Sequence, residues 1–205
     1  TVSGQLATVT DSRGTTTLEY NDRNRLIRRT EPDGRTISYT YDLAGKRTSV
    51  TTPEGTTTYA YDDLGRLQRV TDPDGGVTTY AYDGVGNLTG ITYPNGNVTT
   101  LSYDSLNRIT QIEHRTGGGI LISSYTYTRD AVGNITRVVE NTGRQVDYTY
   151  DDLNRLIEER IQDPVLGDEV IRYTYDAVGN RLTKTDSRGT TTYTYDANDL
   201  SLIHI

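Results

Sequence analysis

The chain has 205 residues, a net charge of −7, and 17 Tyr with no Phe, Trp, Met or Cys. The lack of Cys excludes disulfides, a thiol nucleophile and thiolate metal ligation, and no apolar run is long enough for a membrane-spanning helix. Arg is interleaved with Asp and Glu, so no basic face exists to release counterions from nucleic acid.

Only 33% of residues are hydrophobic and the mean hydropathy is −0.66. Tyr must therefore carry much of the packing, ring buried and hydroxyl paired or wet. With no Met, even at position 1, the sequence reads as a fragment or a processed piece.

In chain order, Gly4-Gln5-Leu6-Ala7-Thr8-Val9-Thr10 aligns with Gly65-Arg66-Leu67-Gln68-Arg69-Val70-Thr71, so the chain opens inside a repeat. The repeat is Tyr-x-Tyr-Asp-x-x-Gly-Arg-Leu, clearest at Tyr59 to Leu67, and it recurs about every 21 residues. Its second Tyr falls at Tyr20, Tyr41, Tyr61, Tyr82, Tyr103, Tyr150, Tyr175 and Tyr195. One copy places Arg129 in that slot and keeps Tyr127 before it and Asp130 after it. The first Tyr recurs at Tyr59, Tyr80, Tyr148, Tyr173 and Tyr193. The Asp recurs at Asp42, Asp62, Asp83, Asp104, Asp151, Asp176 and Asp196. The motif continues as Gly45, Gly65 with Arg66, Gly86, Gly133 and Gly179. Two steps are longer and mark insertions around Thr116–Ile120 and Gln162–Glu169. The array is expected over residues 1–198, about nine units cut mid-repeat at both ends. Residues 199–205 lack the pattern and read as a foreign or truncation-derived tail.

Each repeat predicts two strands and two turns. Leu67-Gln68-Arg69-Val70-Thr71 and Val77-Thr78-Thr79-Tyr80-Ala81-Tyr82 are rich in β-branched and aromatic residues, which suit a half-buried pleated surface. Between them lies a Gly turn such as Pro32-Asp33-Gly34 or Pro73-Asp74-Gly75, with Pro presetting φ and Gly accepting a positive φ. The Tyr-Asp segment is the second turn. In Asp62-Asp63-Leu64-Gly65, Asp opens a type I turn, its carboxylate accepting from N–H groups two residues on, and Gly closes it. The fold class is all-β: a repetitive antiparallel β-meander of hairpins forming a curved or spiralling sheet.

Alternation puts Tyr59 and Tyr61 on one face, so the tyrosines should form a stripe. Stacking of Tyr on Tyr in adjacent strands would account for that stripe structurally. Leu67 and Val70 are three apart, so either a bulge brings them to one face or both faces are partly apolar. About 18 strands spaced about 4.8 Å apart would span about 86 Å. Closed as a single ring, that strip leaves a lumen too narrow for a folded domain more than about 30 Å across.

The motif and its spacing resemble the YD-repeat family: bacterial Rhs (rearrangement hotspot) proteins, shell subunits of insecticidal toxin complexes, and the YD shell of animal teneurins. The resemblance covers residues 1–198, and variants such as Tyr175-Asp176-Ala177-Val178-Gly179-Asn180-Arg181-Leu182 are similar to bacterial Rhs sequence in particular. It implies a partial shell in a secreted or cell-surface bacterial toxin, with the rest of the shell polypeptide and an encapsulated effector as partners. The family's closing segment with its self-cleaving aspartates is absent. Asp163-Pro164-Val165-Leu166-Gly167 approaches it only with Leu and Gly transposed, so no cleavage is assigned there.

No catalytic, cofactor or metal site is expected. His114 and His204 are the only histidines, no Asp spacing matches an EF-hand loop, and no strained Ser turn is present. Asn87, Asn97 and Asn134 head formal glycosylation sequons that arise from the repeat itself. The alternative function is an adhesion module that binds glycans through the Tyr-lined face.

Overall fold

A computed structural model describes residues 4–196 and the backbone of 201–202. Thr1–Ser3, Ala197–Leu200 and Ile203–Ile205 lie outside the described residues, and with them most of the expected tail. Regular structure among the described residues is all strand. The chain forms two compact units, Thr1–Val98 and Thr99–Ile205.

The first unit holds β1 (Thr8–Asp11), β2 (Gly14–Tyr20), β3 (Leu26–Thr30), β4 (Thr36–Tyr41), β5 (Arg47–Thr52), β6 (Gly55–Tyr61), β7 (Leu67–Thr71), β8 (Val77–Tyr82) and β9 (Leu88–Thr92). Each strand pairs antiparallel with the next in sequence, as in β5 with β6, β6 with β7 and β7 with β8. The second unit opens near β10 (Val98–Tyr103). It continues through β11 (Ile109–Arg115), β12 (Leu121–Arg129), β13 (Ile135–Glu140), β14 (Gln145–Tyr150), β15 (Leu156–Gln162), β16 (Glu169–Tyr175), β17 (Arg181–Asp186) and β18 (Gly189–Thr192). Here too consecutive strands pair antiparallel, from β11–β12 to β17–β18. A short pair, β19 (Thr194–Tyr195) with β20 (Ser201–Leu202), follows.

The two sequence insertions resolve differently. Around Thr116–Ile120 the turn keeps the standard geometry, Thr116 N–H donating to Ile120 and Gly119 N–H to Thr116, both at 2.8 Å. The extra residues instead lengthen β11 and β12 to seven and nine residues. Around Gln162–Glu169 the extra residues form a wider loop, closed by Gly167 N–H donating to Asp163 C=O at 3.0 Å.

The bulge alternative is the one the chain adopts. Tyr61 faces Leu67 and Ala60 faces Arg69, which leaves Gln68 as the extra residue. Leu67 and Val70 therefore lie opposite Tyr61 and Tyr59, on the Tyr face. The same slip falls at Tyr20, Tyr41, Tyr82, Arg129, Tyr150 and Tyr175. Along β6 burial alternates, with Thr57, Tyr59 and Tyr61 half-buried and Thr56, Thr58 and Ala60 exposed.

Each unit is thinly buried. Val146 is 2% exposed and Thr99 4%, and no large side chain among the described residues is fully buried. The best-covered row runs along the Tyr face of the second unit, where Tyr127 faces Val138, Val138 faces Val146, and Val146 faces Ile161. The expectation of Tyr on Tyr in adjacent strands is corrected by this register. Tyr strands alternate with Leu/Val strands, so the direct partner of a Tyr is most often aliphatic, as in Tyr59 with Val70 and Tyr80 with Ile91.

Candidate functional site

The recurring Tyr-Asp turn is a built structural site, best followed at Asp62. Gly65 N–H donates to Asp62 C=O at 2.8 Å and Asp62 N–H to Arg66 C=O at 2.9 Å, which makes a type I turn closed by a left-handed residue. The carboxylate holds it from inside: Oδ1 accepts from Leu64 N–H at 3.0 Å and Arg66 N–H at 2.8 Å. Oδ2 accepts from Arg66 Nε at 2.7 Å. Gly65 has φ +78, and Gly45, Gly86, Gly133 and Gly179 are also positive. Asn24, Asn107 and Asn154 take the same place at φ 60, since Asn tolerates this region better than other side chains. Gly4, at φ +80, fits the expected phase of the first repeat.

The same residues tie one repeat to the next. Arg66 Nη1 donates to Asp83 C=O at 3.2 Å, and its guanidinium lies 4.5 Å from the Tyr82 ring centroid. The Tyr82 hydroxyl donates back to Leu67 C=O at 2.8 Å. In the second unit Arg155 donates to Asp176 C=O at 2.9 Å and stacks on Tyr175, whose hydroxyl donates to Leu156 C=O at 2.7 Å. Tyr41, Tyr61, Tyr150 and Tyr195 donate in the same way to Leu26, Arg47, Ile135 and Arg181. A bulge leaves the strand-end carbonyl short of a ladder donor, and the Tyr hydroxyl supplies one.

Departures from the motif show what each position does. Arg129 replaces the Tyr, yet its Nη2 reaches Ile109 C=O at 3.4 Å, the carbonyl a Tyr hydroxyl would take. Lys46 in the Arg slot still places Nζ 5.2 Å from the Tyr61 ring. Where Asn stands in that slot, its amide takes the second carboxylate oxygen, as Asn87 does on Asp83 at 2.9 Å. Asn21 replaces the Asp before Arg25 and lacks that second oxygen, and Arg25 Nε is buried without a partner.

The carboxylates of Asp62, Asp83, Asp104, Asp130, Asp151 and Asp176 are held below the ordinary carboxylate range. For Asp104 and Asp151 the leading cause is the backbone N–H of the residue four on; burial opposes it, and the Arg side chain adds to it. Burial pushes the Tyr127, Tyr148 and Tyr150 hydroxyls up, and nearby carboxylates add to the rise at Tyr148 and Tyr150. Among the described residues no group of three or more His, Cys, Asp or Glu side chains could hold a metal, and no helix is long and apolar enough to cross a membrane. His114 lies in β11 with Nδ1 2.8 Å from the Thr99 hydroxyl.

The structure thus brings the expected motif residues together as turn, stack and tether. Sequence reasoning missed the carbonyl acceptors and the repeat-to-repeat Arg stack. The signal was present, because Arg at the fourth place after Asp recurs in phase with the next Tyr-Asp.

A sheet built from one recurring turn, stack and tether defines an all-β repeat protein. The RHS Repeat model matches residues 2–36, 20–57, 61–98, 82–120 and 129–164, and the chain belongs to that family. Its fold is similar to the crystal structures of TcdB2-TccC3-Cdc42 (TM-score 0.64, 18% identity, 98% of this chain) and TcdB2-TccC3 without its hypervariable C-terminal region (TM-score 0.60, 19% identity, 90% of this chain). The chain spans 13% and 12% of the length of those two chains. A comparison with curated proteins finds no match.

Proposed function

We propose that this chain is a wall segment of a hollow β-shell in a secreted or cell-surface bacterial toxin of the Rhs type. The rest of the shell and an encapsulated C-terminal effector are its partners. Its role is confinement: a sheet pinned at every turn separates a cargo from solvent and proteases. The observation that carries this reading is the tether that recurs from repeat to repeat within each unit, in a chain of the RHS repeat family. Such a tether spends the motif residues on rigidity.

The glycan reading has less support. Arg66 and Arg155 already occupy faces of Tyr82 and Tyr175, where a sugar would stack.

The test is limited proteolysis of the full reading frame containing this segment. A downstream segment resistant in the intact protein and digested after Tyr82→Ala with Tyr175→Ala supports confinement. Equal digestion of both overturns it.

A further inference from the structure

Asn95 is the one Asn of the chain that Gly follows, and it is exposed in the turn after β9. That pairing is the most open to attack of the next backbone nitrogen on the side-chain amide. Gly has no Cβ to obstruct the approach and leaves the backbone free to swing. Other Asn side chains are placed less favourably. Asn24, Asn107 and Asn154 precede Arg. The Asn87 and Asn134 amides donate to Asp83 and Asp130, each at 2.9 Å, ahead of the branched Leu88 and Ile135.

The turn around Asn95 has a twin in the first unit that already carries the product. Tyr93 N–H donates to Asn97 C=O and Gly96 N–H to Tyr93 C=O, both at 2.9 Å. Asn97 N–H donates to Asn95 Oδ1 at 3.0 Å. From Glu31 to Arg35 the same three bonds recur, with Asp33 in the place of Asn95. Glu31 N–H donates to Arg35 C=O at 2.8 Å, Gly34 N–H to Glu31 C=O at 2.9 Å, and Arg35 N–H to Asp33 Oδ1 at 3.0 Å. Gly96 and Gly34 are both left-handed, at φ 78 and 85. The side chain acts through Oδ1, an oxygen that amide and carboxylate share, so a carboxylate fits position 95 without rebuilding the turn.

We propose that Asn95 is a self-modification site: it deamidates through a cyclic imide to Asp and isoaspartate, at a rate set by the opening of its own turn. The Gly96 nitrogen gives its proton to water and bonds to Asn95 Cγ. Negative charge collects on Oδ1, where the Asn97 N–H already donates. The Cγ–Nδ2 bond then breaks, and with a proton from water the nitrogen leaves as ammonia. A second water reopens the imide. Breaking the bond to Cγ restores the main chain and leaves Asp at position 95. Breaking the bond to the backbone carbonyl carbon routes the chain through Cγ as isoaspartate. In sum one water enters and one ammonia leaves, with no change of oxidation state. In the closed turn the Gly96 N–H is committed to Tyr93 C=O, so that bond opens first. Exposed turn bonds open locally at low free-energy cost, and the turn is therefore a brake, not a block. Isoaspartate adds a methylene to the backbone between bonds of 2.9 Å and loosens the turn, whereas Asp does not. This inference does not depend on the shell reading.

The test is peptide mapping by mass spectrometry of the 205-residue chain held at mildly alkaline pH, native and in guanidinium chloride. A gain of about 1 Da at Asn95 is expected, with heavy oxygen taken up from labelled water. Conversion should run about tenfold faster or more in denaturant, where the turn is open. Asn95→Gln, whose cyclisation needs a larger ring, should remove the mass gain. Asn95→Asp should melt with the parent, and the isoaspartate fraction, separated by ion exchange, should melt lower. No mass gain at Asn95 in either condition, equal rates in both, or an Asn95→Asp variant melting well below the parent overturns the proposal.

Discussion

The Tyr82 hydroxyl donates to the Leu67 backbone carbonyl at 2.8 Å, across the hairpin made by β7 and β8. The residue before Leu67, Arg66, lies over the Tyr82 ring. One Tyr therefore serves as acceptor of a cation on its face and donor at its tip, and the pair of repeats closes on itself. Removing the two functions separately should show their sizes. Tyr82→Phe keeps the stacked ring and loses the donor, and is expected to destabilise by about 1 kcal/mol. Tyr82→Ala loses ring and donor and should cost about 3 kcal/mol. Denaturant titration of the pair checks this; a Tyr82→Phe variant as stable as the parent would mean the hydroxyl bond contributes nothing.

Asn21→Asp is expected to stabilise. Arg25 Nε is buried without a partner, while Arg66, Arg108 and Arg155 each donate Nε to the second carboxylate oxygen of their turn Asp. Satisfying such a donor is worth about 1–3 kcal/mol. Thermal melting should rise for Asn21→Asp and fall for Asp62→Asn, the reciprocal change.

Gly65→Asn should be tolerated and Gly65→Val should not. Asn107 and Asn154 occupy the equivalent place at φ 60, but a β-branched side chain there is a conformational outlier. A loss of about 1–2 kcal/mol is expected for Val and well under 1 kcal/mol for Asn. Parallel urea titrations distinguish the two.

Stability should fall at both extremes of pH. Asp62, Asp104, Asp130, Asp151 and Asp176 have folded pKa values below the ordinary value, and Asp186, beside Arg188, is lowered to about 2. A depressed carboxylate stabilises the fold fully above its unfolded pKa of about 3.9 and loses that contribution as pH drops through the folded value. The plateau should therefore end near pH 4. Tyr127, Tyr148 and Tyr150 are raised, so their contribution is complete below about pH 10 and lost as pH climbs through the folded values. Melting temperature against pH checks both arms; a flat acid limb would show that the turn carboxylates add nothing.

The arrangement of strands and turns was legible because each repeat states the same local chemistry again. Thr-rich alternation gives strands, and Asp and Gly set the turn. Gly45 and Gly65 could be placed in the left-handed region from turn chemistry alone. Asn24, Asn107 and Asn154 in that role were legible only by phase, since Asn has many other uses. The spacing of Leu67 and Val70 pointed to a bulge but left a two-faced strand equally open. Register decided it, through Tyr61 opposite Leu67 and Ala60 opposite Arg69.

By itself, then, the sequence determined the period, the all-β class and the turn residues, because these depend on backbone preferences within about five residues. Only the tertiary structure decided which face collects Tyr, Leu and Val, where Arg66 and Arg155 spend their guanidinium groups, and that Arg129 could stand in for a Tyr. Those outcomes depend on the bulge. One unpaired residue per hairpin shifts the register, frees a carbonyl, and brings side chains 15 to 21 residues apart in sequence within bonding distance.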